Sequence, residues 1–210
     1  MNNLSNIISI FNKYADKYQE QYMDVELYKS TLQQFLNELP INSNVIDLGC
    51  GPGNITHYLL QQRPDIAVLG IDIAPDMIAL AEKNNPSANF KVMNALNITS
   101  INTQYNGIVC AFLLPYLSKV HAIELIKTMA KLLMPNGVLY LSTMEDLNSN
   151  SKYQSSSYDT KDRLFINYHE KSYLTDTIQD CGLTLLSTTQ QEYTHKNGTT
   201  TTEVIIIAKK

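Results

Sequence analysis

Residues 45–54 read Val-Ile-Asp-Leu-Gly-Cys-Gly-Pro-Gly-Asn, a short β-branched run that ends in an acid and continues into three alternate glycines. Such a run predicts a buried strand, and the glycines predict a sharp turn at its carboxyl end. Residues without a β-carbon let the backbone turn this tightly while a ligand lies against it. The stretch therefore predicts a nucleotide-type cleft, although a plain turn between a strand and a helix has similar glycines.

The spacing of this loop differs from that of dinucleotide-binding loops. A G-x-G-x-x-G loop, which holds a pyrophosphate at a helix N-terminus, has its third glycine where this chain has Asn54. Here the order from Asp47 to Gly53 is D-x-G-x-G-x-G. An acidic strand end would repel a pyrophosphate, so the pattern argues against a phosphate at this position.

A second buried run, residues 67–72, also ends in a carboxylate, that of Asp72. In clefts of this topology an acid at this position accepts hydrogen bonds from ribose hydroxyls, because a carboxylate has two acceptor oxygens. As an alternative, Asp72 or Asp76 caps the helix that begins at Pro75. The joint spacing of Asp47, the glycines and Asp72 favours the ligand-binding role.

Helical and extended patterns alternate along the chain, which predicts a layered α/β fold with a mostly parallel sheet. The dipeptide Asn197-Gly198 predicts a hairpin between the last two strands. Helices are predicted at residues 5–22, 25–39, 54–62, 75–83, 119–133 and 170–181, and strands at 44–48, 68–72, 90–94, 107–112, 138–143, 183–193 and 200–208.

From about Phe11 to the C-terminus, the chain resembles the class I S-adenosylmethionine-dependent methyltransferases of the small-molecule type. It departs from the family pattern at Asn94 and Asn106, where family members commonly have Asp. Five segments carry the resemblance: residues 47–53 (motif I), 71–77 (the second motif), 90–95 (the third strand), 105–112 (the fourth strand) and 133–141 (the turn into the fifth strand).

The resemblance implies a Rossmann-like sheet of seven strands, mostly parallel, with helices on both faces and a C-terminal antiparallel hairpin strand. It also implies S-adenosylmethionine as cofactor and S-adenosylhomocysteine as product. The residues that it places at the cofactor are Tyr14, Tyr18, Asp47, Gly49, Cys50, Gly51, Gly53, Asp72, Ile73, Met77, Asn94, Ala95, Ala111 and Phe112. Among them, Ile73 and Met77 flank the adenine, and the amide oxygen of Asn94 accepts a hydrogen bond from the adenine amine.

Two segments outside the predicted core are candidates for choosing the substrate. Residues 1–40 form a predicted N-terminal helical lid, in which Phe11, Tyr14, Tyr18 and Tyr22 share one helix face. These rings either pack the helix onto the body or, as the resemblance implies for Tyr14 and Tyr18, contact the methionine end of the cofactor.

The second segment, residues 145–168, contains many polar residues and includes Tyr153 and Tyr158. Its composition predicts a mobile surface loop, and its place after the fifth strand also fits an active-site cover that closes on substrate.

Methyl transfer from a sulfonium is an in-line displacement with a good leaving group. Orientation and exclusion of water supply much of the acceleration, and a base is needed only if the acceptor loses a proton. His169 is the candidate base, whereas His57, His121 and His195 are predicted to be structural or exposed. The resemblance places Tyr116, with Phe112, in the methyl-transfer pocket.

Residues 113–116 align with the Asn/Asp-Pro-Pro-Tyr motif of methyltransferases that act on exocyclic amines of DNA or on glutamine. Leu113 cannot supply the oxygen that accepts hydrogen bonds from such an amine. The sequence therefore argues against these substrates and leaves a small metabolite as the predicted acceptor.

Composition narrows the class of protein. The chain has 210 residues, 44% of them hydrophobic, which predicts one domain over residues 1–210. Its net charge is −4 and its basic residues are scattered, which argues against a nucleic-acid partner. The cysteines Cys50, Cys110 and Cys181 lack metal-site spacing, so neither a metal nor a disulfide is predicted. Without an apolar span or a signal-like start, we expect a cytoplasmic protein that does not enter membranes, as a monomer or homodimer.

The sequence thus predicts a methyltransferase that acts on an oxygen, a nitrogen or a carboxylate of a small molecule. One alternative is another enzyme of the same fold, for aminopropyl transfer or NAD(P)-dependent oxidoreduction, and Asn54 argues against the latter. A second alternative is a cofactor-binding partner subunit without catalysis.

Overall fold

The computed structural model describes residues 4–146, 151–155, 161–194, 198 and 200–210. Its strands are β1 (Asn44–Leu48), β2 (Ala67–Asp72), β3 (Asn89–Val92), β4 (Tyr105–Ala111), β5 (Leu133–Glu145), β6 (Lys152–Ser155), β7 (Arg163–Ile166), β8 (Thr184–Thr194) and β9 (Thr200–Lys209). Its helices are α1 (Leu4–Lys13), α2 (Ala15–Tyr22), α3 (Lys29–Asn37), α4 (Asn54–Gln62), α5 (Pro75–Asn84), α6 (Lys119–Leu132) and α7 (Lys171–Asp180).

A seven-stranded sheet in the order β3-β2-β1-β4-β5-β9-β8 forms the centre of the molecule. The strands from β3 to β5 are parallel, and β9 is antiparallel to both β5 and β8. The predicted fold class and the C-terminal hairpin are therefore confirmed. The strand order reverses at β1, which pairs with β2 on one side and β4 on the other. Ligands of open α/β sheets bind outside the carboxyl ends of the strands at such a point, and the glycine loop follows β1 here.

Both faces of the sheet are covered, which explains why β1 buries four of its five residues. Ile46 and Leu48 point into a core that includes residues of α6 and α7, whereas Val45 points into a core with α3 and α4. Since alternate residues of a strand face opposite sides, the continuous apolar run places β1 in the middle of the sheet. This position fixes the glycine loop at the centre of the carboxyl edge.

The N-terminal region departs from the prediction. The predicted helix at residues 5–22 is broken at Tyr14, whose backbone has φ −115° and ψ 17°. The next predicted helix, residues 25–39, divides into a 3-10 turn at Glu26–Tyr28 and the shorter α3. Periodicity predicted helical segments here, but it did not identify the breaks between them.

The segment 145–168 is not only a polar loop, as its composition predicted. β6 and β7 form a separate antiparallel hairpin, in register from Lys152 opposite Ile166 to Ser155 opposite Arg163. Leu164 and Ile166 are buried in it. The apolar run at residues 164–166 is short, so the polar average composition of the whole segment did not indicate this strand. Tyr158 and residues 195–197 of the predicted turn lie outside the described residues.

Candidate functional site

The three glycines of the loop all have left-handed backbone, with φ of 70° at Gly49, 53° at Gly51 and 80° at Gly53. A β-carbon on Gly53 would lie 2.4 Å from the amide nitrogen of Asn85, so Gly53 is needed for packing against α5. A β-carbon on Gly51 would meet only the ring of Tyr18, at 3.6 Å. Gly51 is therefore the glycine that borders open space, between the loop and the N-terminal helices.

Asp72, at the tip of β2, is bound to the glycine loop. Its Oδ2 accepts a hydrogen bond from the backbone N–H of Gly51 at 3.0 Å, and its Oδ1 accepts one from that of Ala74 at 2.9 Å. Burial raises the pKa of this carboxyl group above its usual value. Since each carboxylate oxygen can accept more than one hydrogen bond, both oxygens retain capacity for a ligand hydroxyl.

Asp47, at the tip of β1, lies underneath the loop. It is 1% exposed, and its Oδ2 accepts a hydrogen bond from the hydroxyl of Thr56 in α4 at 2.8 Å. Burial raises the pKa of Asp47 to about 7, and the nearby Asp72 acts in the same direction. This position holds the loop to α4, and direct contact of Asp47 with a cofactor stays a prediction.

Neither carboxylate has a basic partner among the ion pairs of the described residues. Two buried acids on neighbouring strands, with no cation from the described part of the chain, make this edge of the sheet electronegative. A cation bound here would stabilise their charged forms.

The residues predicted around the adenine lie beside this loop. Met77 is 1% exposed and packs with Ala74 below α2, and Ile73 packs against the N-terminal region. The Oδ1 of Asn94 accepts a hydrogen bond from the backbone N–H of Leu96 at 2.9 Å. The oxygen predicted to bind the adenine amine thus also caps the 3-10 helix Ala95–Ser100.

Two further predicted contacts are small buried residues. Cys50 is 3% exposed, and its burial raises the pKa of the thiol well above the usual value. Ala95 packs into the core beneath the 3-10 helix that it begins. Contact of either residue with the cofactor stays a prediction.

An aromatic row joins the N-terminal helices to the end of β4. The ring centroid of Phe11 lies 6.1 Å from that of Tyr18 and 5.1 Å from that of Tyr116. Tyr18 in turn lies 4.6 Å from Tyr22. The structure thus brings together Tyr18 and Tyr116, two predicted site residues, with Gly51 on one side of the row.

Ala111 ends β4, and Phe112 follows it with left-handed backbone at φ 53°. This conformation is uncommon for a residue with a bulky side chain and marks local strain. The ring of Phe112 lies 5.3 Å from that of Tyr28, between centroids. Phe112 therefore lies at the carboxyl edge with its ring in contact with that of Tyr28. The sequence analysis did not identify Tyr28.

The position of Tyr14 differs from the predicted one. Its hydroxyl donates a hydrogen bond to Oδ2 of Asp162 at 2.6 Å, and its ring packs in a cluster with Leu164 and Ile166. The break between α1 and α2 occurs at Tyr14. These contacts join the N-terminal helices to the β6–β7 hairpin and do not support the predicted contact with the cofactor.

His169, the predicted base, is 1% exposed. Its Nε2 donates a hydrogen bond to the carbonyl oxygen of Leu114 at 2.8 Å, and its Nδ1 accepts one from the hydroxyl of Tyr173. Burial lowers the pKa of the imidazole, so the neutral ring fits both bonds. With both nitrogens engaged, His169 joins the turn at Leu114 to α7, and this geometry argues against its role as a base.

A cavity of about 140 Å³ lies beside His169. The amino group of Lys119 lies 4.3 Å from the ring centroid of Tyr173 in its wall. The full lining is Lys119, Ser151, Asn167, Tyr168, His169, Glu170 and Tyr173.

Within the described ranges there is no group of three or more His, Cys, Asp or Glu side chains that could hold a metal ion. No helix in that part of the chain has the length and apolar character needed to cross a membrane.

The methyltransferase domain family matches residues 17–188 of this chain. A protein named as a methyltransferase in Invertebrate iridescent virus 6 is 33% identical over 156 residues, which are 70% of this chain and 57% of that protein. The malonyl-acyl-carrier-protein O-methyltransferase of Priestia megaterium is 30% identical over 139 residues, which are 63% of this chain and 49% of that protein. The chain spans about half the length of these curated relatives.

Solved structures share the fold. A crystal structure of a SAM-dependent methyltransferase from Methanosarcina mazei superposes with a TM-score of 0.70 at 23% identity, covering 83% of this chain and 95% of that chain. The 1,6-didemethyltoxoflavin-N1-methyltransferase of Burkholderia thailandensis, solved with its substrate and S-adenosylhomocysteine, gives 0.72 at 16% identity, covering 98% of this chain and 88% of that chain.

The family match covers β1, the glycine loop and both acidic strand tips, and the fold agrees with it. The chain belongs to the methyltransferase domain family and has the fold of the class I S-adenosylmethionine-dependent methyltransferases.

Proposed function

We propose that this chain transfers a methyl group from S-adenosylmethionine to a small-molecule acceptor. The observation that carries the proposal is the space above Gly51, bordered by the ring of Tyr18 and flanked by the buried acids Asp47 and Asp72. S-adenosylmethionine is a cation at its sulfur and carries an ammonium group, which suits an edge that lacks a cation among the described residues.

The residues present fit this ligand. Asp72 can accept hydrogen bonds from the ribose hydroxyls while it keeps the N–H of Gly51. Ile73 offers apolar surface to the adenine, and Tyr18 offers an aromatic ring to the methionine end. Met77 is buried against Ala74, so its direct contact with the adenine stays a prediction. When bound, the ligand supplies an electrophilic methyl group on a good leaving group.

The protein then contributes by positioning the acceptor and by excluding water from the site. The aromatic row of Phe11, Tyr18 and Tyr116 closes the carboxyl edge from the N-terminal side. Holding an acceptor in line with the methyl group and excluding water are sufficient for much of the acceleration. Since both nitrogens of His169 are engaged within the protein, the proposed mechanism uses no histidine base.

A small acceptor is supported by two observations. The relative from Priestia megaterium is named for methylation of malonyl-acyl-carrier-protein at oxygen, and the neighbour from Burkholderia thailandensis for methylation of 1,6-didemethyltoxoflavin at N1. The chain itself has a net charge of −4, which is unfavourable for a nucleic-acid partner. We accordingly propose a small molecule, methylated at oxygen or nitrogen.

Two measurements test the proposal. S-adenosylhomocysteine should raise the melting temperature by mass action, whereas NADH should leave it unchanged, because the loop lacks a pyrophosphate site. Labelled methyl groups from S-adenosylmethionine should then appear on at least one member of a metabolite panel. Stabilisation by NADH alone would instead indicate an oxidoreductase, and cofactor binding without product across the panel would favour a non-catalytic subunit.

A further inference from the structure

Glu203 is a buried acid on the side of the sheet that faces α3. It is 3% exposed and stands in β9, directly opposite Met144 of β5. Its two carboxylate oxygens accept hydrogen bonds from the hydroxyl of Tyr28 at 3.1 and 3.0 Å, and one also accepts from the amide of Gln191 at 3.1 Å. None of the ion pairs of the described residues includes Glu203. This carboxylate is thus bound by neutral donors only.

A second buried polar group faces the same region without a partner. The hydroxyl of Ser142 is fully buried and makes no hydrogen bond within the described structure. Ser142 pairs with Ala111 on one side and Ile205 on the other, so its side chain points to the same face as theirs. Glu203 lies two residues from Ile205 along β9 and therefore points to this face as well. A buried unpaired hydroxyl is costly, and it is explained if a ligand group completes its bonding.

These groups adjoin Phe112, which the family resemblance places in the methyl-transfer pocket. Tyr28 donates to Glu203 with its hydroxyl, and its ring lies 5.3 Å from the ring of Phe112. Phe112 has the strained backbone at the end of β4, next to Ala111. The carboxylate, the unpaired hydroxyl and the two rings therefore lie on one face of the sheet, near the carboxyl ends of β4 and β5 and the start of the antiparallel β9.

We propose that Glu203, Tyr28 and Ser142 form a subsite for a protonated amine of the methyl acceptor. This inference rests on the proposed function and specifies its substrate class. An ammonium group donates several hydrogen bonds, and its positive charge would pair with the carboxylate of Glu203. The Ser142 hydroxyl accepts a further bond from it, and the rings of Tyr28 and Phe112 offer cation–π contact. A carboxylate in the same place would be repelled by Glu203.

The test uses matched probes on the complex with S-adenosylhomocysteine, because the natural acceptor is not needed. Phenethylammonium, 2-phenylethanol and 3-phenylpropanoate have similar size and differ in the charge at one end. We expect phenethylammonium to bind most tightly in saturation-transfer NMR titrations. Glu203→Gln should weaken it by about 10-fold or more, since charge-assisted hydrogen bonds have about this strength, and should leave the alcohol within about twofold.

Ser142→Ala provides a second variant, with Thr143→Ala as its matched control. The hydroxyl of Thr143 is also buried and unpartnered, but the side chains of neighbouring residues in a strand point to opposite faces. Ser142→Ala should weaken the binding of phenethylammonium several-fold, and Thr143→Ala should leave its binding unchanged. Equal effects of both variants would overturn the subsite.

Binding of S-adenosylhomocysteine is measured for every variant, which separates the two proposals. If the wild-type chain fails to bind S-adenosylhomocysteine, the proposed function fails. If it binds this ligand but 3-phenylpropanoate binds tighter than phenethylammonium, or Glu203→Gln leaves phenethylammonium unchanged, only the amine subsite fails. A loss of melting temperature without loss of probe affinity would show that Glu203 only fixes Tyr28 in place.

Discussion

The glycine loop and the two segments predicted to cover it are held by different kinds of contact. The loop is fixed by nearby residues: the N–H groups of Gly49 and Cys50 donate to the carbonyl oxygen of Ile71 at 2.8 and 3.0 Å, and Asp47 lies buried beneath. The covers, α1–α2 and the β6–β7 hairpin, are held to each other by contacts between residues far apart in sequence.

Asp162 is central to the contact between the covers. It accepts hydrogen bonds from Lys13 and Tyr14, both at 2.6 Å, and Asn6 donates to the backbone of Arg163 at 3.3 Å. Lys13 is half exposed, so this contact is open to water and salt. We therefore expect the loop to determine which cofactor binds, and the contact between α1–α2 and the hairpin to affect how fast the cofactor enters and leaves.

The largest expected effect is at Gly51. Gly51→Val should weaken S-adenosylhomocysteine by about a hundredfold or more, because a branched side chain fills the space beneath Tyr18. Calorimetric titration measures this loss, and circular dichroism reports whether the fold is retained. Gly182→Val is the matched control, since Gly182 also has a left-handed backbone, at φ 81°, but no atom within 4 Å of its added β-carbon. Equal affinity of Gly51→Val and wild type would show that the loop is only a turn.

Asp72→Ala tests the second acidic tip. Removing its charge-assisted acceptor should weaken S-adenosylhomocysteine by about 1.5 to 3 kcal/mol. The same calorimetric titration measures the change. Asp76→Ala, in the first turn of α5, is the control for loss of a nearby acid. If Asp72→Ala binds like wild type, the ribose lies elsewhere.

Asp47 predicts a pH dependence of stability in the ligand-free protein. The pKa of Asp47 is raised from 3.8 to about 7 in the folded protein. The contribution of Asp47 to the free energy of unfolding is therefore greatest below about pH 4 and is lost as the pH rises through 7. Between pH 5 and pH 6.5 this loss is about 2 kcal/mol, since the folded state keeps one proton that the unfolded state has released.

Urea unfolding of wild type and Asp47→Asn across this range measures the difference. The variant has no carboxyl group to titrate, so its free energy of unfolding should fall less with pH than that of wild type. Parallel curves for the two proteins would contradict the burial of an acid beneath the loop.

The smallest expected effect is at the contact between the covers. Asp162→Ala removes the partner of Lys13 and Tyr14 and should raise the dissociation rate of S-adenosylhomocysteine by up to about fivefold. Stopped-flow displacement measures this rate, and added salt should narrow the difference between variant and wild type. Asp65→Ala removes a partly buried ion pair with Arg63, away from α1–α2 and the hairpin, and should leave the rate unchanged. A slower release from Asp162→Ala would contradict the role of the contact.

Local sequence patterns predicted the glycine loop and the elements next to it well. The helix at Asn54–Gln62 has the predicted bounds, because the glycine loop marks its start and its apolar face repeats at helical spacing. Patterns of this kind depend on residues that are close in sequence.

The contact between the N-terminal helices and the β6–β7 hairpin could not be predicted in the same way. Tyr14 and Asp162 are 148 residues apart, and no local pattern specifies that they meet. The role predicted for His169 was unsupported for the same reason, since its partner Leu114 is 55 residues away. Glu203 had a visible signal, a lone acid beside the apolar run at residues 204–208, which could have suggested a buried carboxylate.

The most direct test of the account is calorimetric titration of the wild-type chain with S-adenosylmethionine and S-adenosylhomocysteine at pH 6 and pH 8. The two ligands differ in one methyl group and its positive charge. We expect both to bind, and the preference for S-adenosylmethionine to grow towards pH 8 as the Asp47 carboxyl, with a pKa of about 7, becomes charged. Absence of heat with both ligands would contradict the proposed site, and a preference that does not change with pH would contradict the role assigned to its buried acids.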